Sequence, residues 1–217
     1  MISMEIELIN PHVLKILIAA RKEDSIRAIS GRIKLSYGWT YKWVQDLARL
    51  GVFTLTRMKI YLNENNSFYK RTLKYIRDIL SNDVGFYYDV LALFGISYCF
   101  TQTDAVFVWT KGGYNISRYK KFYPIFVKIK TKDKELFEEC CRKLHLYINK
   151  GKGIFYQVVY LHDFNIEYCD GIPVDGFEET VSFMEKNKYN FEPALEMISE
   201  MHKKKIRVRY KEAITNV

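Results

Sequence analysis

Seven side chains between Trp39 and Lys59 concentrate the recognisable chemistry of this chain. Trp39, Thr40, Lys42, Gln45 and Arg49 share one helix-forming stretch, and Arg57 and Lys59 follow in a short β-rich run. Together they offer two guanidinium groups, two ammonium groups, a carboxamide, a hydroxyl and a flat indole. Donors set one turn apart on a helix match the acceptors that base edges display in a DNA major groove, and flanking cations match its phosphates. Asp46 is the one acid between Trp39 and Lys59.

Those side chains need rigid elements to carry them. Ser25, after Asp24, has the residue type of an N-cap, and Ile26, Ile29 and Ile33 recur at three and four residues, so they share one helix face. Leu35 tucks in behind. Ser36, Tyr37 and Gly38 read as a turn in which Gly38 supplies a positive φ. Tyr41, Val44 and Leu47 then form the buried stripe of a second helix, near Trp39 to Leu50, with Trp39, Thr40, Lys42, Gln45 and Arg49 on its opposite face. Gly51 has the residue type of a helix stop. Val52 to Leu62 is a hairpin with Arg57 and Lys59 near its tip. An earlier helix is expected from Leu8 to Arg21, with Asn10 as cap, Pro11 in the first turn and Val13, Leu14, Leu17 and Ile18 inward. The plainer alternative is a helical packing module with no ligand.

The stretch from Ser25 to Leu62 resembles the winged helix-turn-helix of archaeal and bacterial transcription regulators. The resemblance covers the N-terminal part of the chain. It implies double-stranded DNA as partner, a recognition helix near Trp39 to Leu50, and a homodimer that spans two half-sites.

Asn63, Glu64, Asn65 and Asn66 form a polar break, which places a domain boundary there: residues 1–66 as the reader and 67–217 as a second body for dimerisation, sensing or a protein partner or small effector. In that body, Ser67 to Leu80 reads as a helix capped by Ser67, and Val84 to Phe94 as a buried helix stopped by Gly95. Ile96 to Phe100, Ala105 to Thr110, Ile125 to Lys130 and Ile154 to His162 read as strands, with Phe164 to Tyr168 as a hairpin partner. Lys132 to Ile148, Gly176 to Lys186 and Pro193 to Lys203 read as helices. Strands and helices do not alternate cleanly, so the expected class is α+β: a winged helix followed by a mixed α+β domain. The segment from Phe100 to Tyr114 is similar to the body domain of regulators related to abortive-infection (AbiEi-type) antitoxins. That similarity implies a non-enzymatic, antitoxin-like repressor and assigns no individual residues.

Composition narrows the classes. The chain has 217 residues and a net charge of +9, and 48% of its residues are hydrophobic, enough for a sizeable core. Residues 1–63 hold ten basic and five acidic side chains, and Lys203, Lys204, Lys205, Arg207, Arg209 and Lys211 form a second basic cluster. Both fit a polyanionic partner. No apolar run reaches membrane-spanning length, and the first ten residues lack a basic signal-peptide start, so a cytoplasmic protein without a membrane partner is expected. Abundant charge and only three glutamines fit a thermophilic source, archaeal among others, and an AT-rich genome would give the same bias. Cys99, Cys140, Cys141 and Cys169 form no C-x-x-C pair and read as free, mostly buried thiols, so no metal is expected. Lys111-Gly112-Gly113 and Lys150-Gly151-Lys152-Gly153 lack phosphate-loop spacing, so no cofactor is expected. Asp163, Glu167, Asp170 and Asp175 surround His162 in sequence but read as solvated loop acids, and no catalytic residue is assigned. The competing class is a nucleic-acid-modifying enzyme, nucleotidyltransferase- or nuclease-like, that uses the winged helix for docking.

Overall fold

The computed structural model describes residues 10–116, 118, 119, 121–203 and 206. The expected helix start at Leu8 and the basic cluster beyond Lys203 lie outside these residues. Among them, nine α-helices and two β-sheets make the chain α+β. No helix among them is long and apolar enough to cross a membrane. The chain divides into two compact units, residues 1–97 with 132–148, and residues 98–131 with 149–217.

The first unit opens with α1 (Pro11–Ala19), β1 (Glu23–Asp24), α2 (Ile26–Ile33), α3 (Tyr37–Arg49), β2 (Phe53–Leu55) and β3 (Ile60–Leu62). Local sequence sets most boundaries. The Asn10 side chain accepts from the amides of His12 and Val13, with Pro11 in the first turn. Ser25 accepts from Ala28 N at 3.1 Å. Gly51 takes φ +73°, a conformation that costs glycine little. The apolar stripes then meet: Val13, Ile16, Leu17, Ile29, Val44 and Leu47 are completely buried. In the small antiparallel sheet, β3 lies between β1 and β2, with Asp24 opposite Ile60 and Thr54 opposite Tyr61.

This unit continues past the polar break. α4 (Ser67–Leu80) is capped by the Asn66 side chain rather than by Ser67, and α5 (Val84–Phe94) ends on Gly95 with φ +65°. α7 (Lys134–Leu144) belongs to the same unit. The Arg77 guanidinium on α4 donates twice to the Lys143 carbonyl, at 2.9 and 2.7 Å. The Lys143 ammonium donates to the carbonyls of Leu17, Ile18 and Ala20, at 2.6, 3.1 and 3.0 Å, and so closes the C-terminus of α1.

The second unit is built on a five-stranded mixed sheet of β4 (Tyr98–Phe100), β5 (Phe122–Lys130), β6 (Gly153–Leu161), β7 (Glu167–Cys169) and β8 (Ile172–Val174) in the order β6-β5-β4-β8-β7. β5 and β6 are parallel, as are β4 and β8, while the other two neighbours are antiparallel. α6 (Gln102–Trp109), α8 (Phe177–Lys186) and α9 (Lys188–His202) complete it, and α9 begins well before Pro193.

The segment Ala105 to Thr110 corrects the sequence reading, since it is the helix α6 and not a strand. Its Val-Phe-Val-Trp run has strand propensity, but Asp104, Ala105, Val106, Val108 and Trp109 are all buried. With Gln102, Thr103 and Phe107 half-buried, the helix has no fully exposed face to reveal its period, and packing overrides propensity. Its buried carboxylate and that of Asp175 are paired. Asp104 accepts from Arg118 at 2.7 Å and from the Phe126 amide at 2.7 Å. Asp175 pairs with Lys128 at 2.9 Å and accepts from the hydroxyl of Thr101.

Candidate nucleic-acid interface

α3 starts at Tyr37, earlier than the sequence indicated. Ser36 caps it, accepting from Trp39 N at 3.3 Å. Gly38 is therefore the second residue of a helix rather than a positive-φ turn residue. The left-handed conformation falls to Lys34 instead, at φ 53°.

The helix is oriented by Thr40, Val44 and Leu47, each fully buried. Thr40 was expected on the exposed face and is instead part of the core, its hydroxyl donating to the Ser36 carbonyl at 3.0 Å. Tyr41 was expected inside and is 45% exposed. The cause is angular. At about 100° per residue, Thr40, Val44 and Leu47 cluster more tightly than Tyr41, Val44 and Leu47, which drift by about 60° at each step of three. With Thr40 inward, Gly38, Lys42, Gln45 and Arg49 define the outermost row. Lys42 and Arg49 are exposed, and Gln45 is half-buried.

Aromatic rings flank that row. Trp39 is 56% exposed and Tyr37 54%. The Lys42 ammonium lies 5.5 Å from the Trp39 ring centre and 5.1 Å from that of Trp43. Tyr37 and Tyr41 stack on the other flank, with centres 6.1 Å apart and planes tilted by 28°. Arg49 pairs with Asp46 at 2.8 Å. The sequence reading missed Tyr37, Tyr41 and Trp43 as surface features, although a helical wheel centred on Thr40 would have placed them on the flanks.

The β2–β3 hairpin carries Arg57 and Met58 at its tip, both exposed. Thr56 closes the turn, its amide bonding the Lys59 carbonyl at 2.9 Å while its hydroxyl accepts from Lys59 N at 3.1 Å. Lys59 is exposed and ion-paired with Glu23 on β1. The Glu23 carboxylate holds the Lys59 ammonium above its ordinary value, mainly through the hydrogen bond. A cleft of about 450 Å³ opens between the start of α2, Tyr37 and the hairpin turn, with Ser25, Arg27, Ser30, Arg57 and Lys59 on its walls. Its polar lining is made of cations and hydroxyls, set among Ile26, Met58 and Ile60, and those polar groups suit a phosphodiester.

The acids that cluster in sequence around His162 are each engaged by a different partner. Asp163 pairs with Lys130 at 2.8 Å, Asp170 with Lys111 at 3.2 Å, and Asp175 is buried against Lys128. Glu167 accepts from the Phe177 amide at 3.2 Å. Among the described residues, no three His, Cys, Asp or Glu side chains are grouped to hold a metal ion. Cys99, Cys141 and Cys169 are buried free thiols, and Cys140 is half-buried. Comparison with family models, curated proteins and solved structures returned no match for this chain.

Proposed function

We propose that the chain is a sequence-specific DNA-binding transcription regulator, an antitoxin-like repressor, whose reader is a winged helix over residues 11–62. The observation that carries this reading is the outward row Lys42-Gln45-Arg49 on α3, set beside a hairpin with Arg57 at its tip. The order helix, strand, helix, helix, hairpin, with β1 paired to β3, is the arrangement such a reader needs. α3 enters the major groove with Lys42 and Gln45 toward base edges, while Arg57, Lys59 and Arg27 hold phosphates.

One such helix covers one half-site. Two copies therefore act together on half-sites about 34 Å apart, and a homodimer is the working form. Genome-wide pull-down of bound DNA, followed by gel shift of the recovered fragments at several salt concentrations, tests the reading. A recurring site bound more tightly than scrambled DNA supports it, and no shift on any duplex at low salt refutes it. Light scattering tests the dimer, and a monomer at micromolar concentration counts against it.

A further inference from the structure

The exposed surface of α3 is more aromatic than readout of base edges requires. Tyr37, Trp39 and Tyr41 are each 45% exposed or more, on three of the first five residues of the helix. That is the end of a recognition helix that meets the bases. An intact major groove offers a flat ring little beyond thymine methyl groups, because base faces are hidden in the stack. Unpaired bases offer those faces, and stacking on Trp and Tyr is the interaction such rings make best. Charge is placed to match: Lys42 sits over Trp39 and Trp43, and Arg27 and Arg57 line the cleft beside Tyr37.

Resting on the reading of α3 as the DNA-contacting helix, we propose that its preferred substrate is a duplex with locally opened strands. The rings of Trp39 and Tyr41 stack on unpaired bases while Arg27 and Arg57 hold the neighbouring phosphates. Trp39 lies on one flank of the helix and Tyr41 on the other, so bases displaced to either side meet a ring. Stacking releases no counterions, so the preference for opened DNA appears as tighter binding with a salt slope no steeper than that of the blunt duplex.

The test is fluorescence anisotropy of the full chain on three labelled DNAs: a blunt duplex, the same duplex with a short central run of mismatches, and one of its single strands. The expected result is binding of the mismatched duplex at least about tenfold tighter than the blunt one, with quenching of tryptophan emission. Trp39→Ala and Tyr41→Ala should each bring the ratio of the two affinities toward one, and Trp39→Phe, which keeps a stacking ring, should retain most of it. Circular dichroism checks that each variant is folded. Equal affinity of the wild type for blunt and mismatched duplexes, or an unchanged ratio in Trp39→Ala, overturns the inference and leaves the duplex reader standing. Failure to bind any of the three DNAs overturns the reader as well.

Discussion

The Lys42 ammonium and the Trp39 indole, 5.5 Å apart across one turn of α3, act as one unit. The ring holds the cation at the helix surface, where a nucleic acid would meet it. Lys42→Ala should lower affinity for a specific site by about 1–3 kcal/mol. Loss of the ring contact should cost about 0.5–1 kcal/mol of stability. Lys42→Arg keeps a cation over the rings and should recover the stability in a thermal melt, with only part of the affinity restored.

The Lys59–Glu23 pair makes the two hairpin cations unequal. Lys59 shares its charge with Glu23, so Lys59→Ala should reduce the slope of log affinity against log salt by less than the ~0.9 that one phosphate contact contributes. Glu23→Gln should strengthen binding to every duplex, specific or scrambled. Titrations over a salt series check both, and weaker binding by Glu23→Gln would contradict the assignment.

Thr40 belongs to the core. Thr40→Val keeps the volume and removes the hydroxyl that donates to Ser36, and it should cost on the order of 1 kcal/mol in denaturant unfolding. DNA preference of the folded variant should match the wild type. A changed preference at normal stability would mean that Thr40 reaches a base.

How much of this was legible in sequence follows from the range of the forces involved. The caps at Asn10 and Ser25 and the stop at Gly51 act within a few residues, so α1, α2 and the end of α3 could be read directly. The exposed Trp39, Lys42 and Arg49 followed from periodicity, but the exchange of Thr40 for Tyr41 did not. Threonine is the less usual core residue of the two, so residue type favoured Tyr41 although the angular spacing with Val44 and Leu47 favours Thr40. α6 was illegible because it has no fully exposed face to mark its period. The reach of the first unit into α4, α5 and α7 depends on contacts such as Arg77 to the Lys143 carbonyl, between residues far apart in sequence.

Lys143 gives a pH test of that reach. Burial lowers its ammonium from 10.5 to about 8, where it donates to three carbonyls at the end of α1. The unfolded chain keeps the proton up to its ordinary value, so between those values it binds more protons than the native state. Stability from this group is therefore complete above 10.5 and is lost as pH falls through about 8. Lys143→Met should destabilise by about 2–3 kcal/mol by leaving the carbonyls without a donor, and the gap to the wild type should widen from pH 7 to pH 10. Urea unfolding at the two pH values reads it, and a gap that narrows would contradict the buried ammonium.

In the proposed reader α3 and the hairpin bind DNA, with Gln45 reading bases and Arg57 holding backbone. Fluorescence anisotropy of the wild type, Gln45→Ala and Arg57→Ala, on a recovered genomic site and its scrambled duplex over a salt series, tests it most directly. Gln45→Ala should lose about 1–3 kcal/mol on the genomic site alone and relax its sequence preference. Arg57→Ala should weaken both duplexes alike and flatten the salt slope by about one contact per subunit. If both variants bind every duplex as the wild type does, α3 and the hairpin are not the reader.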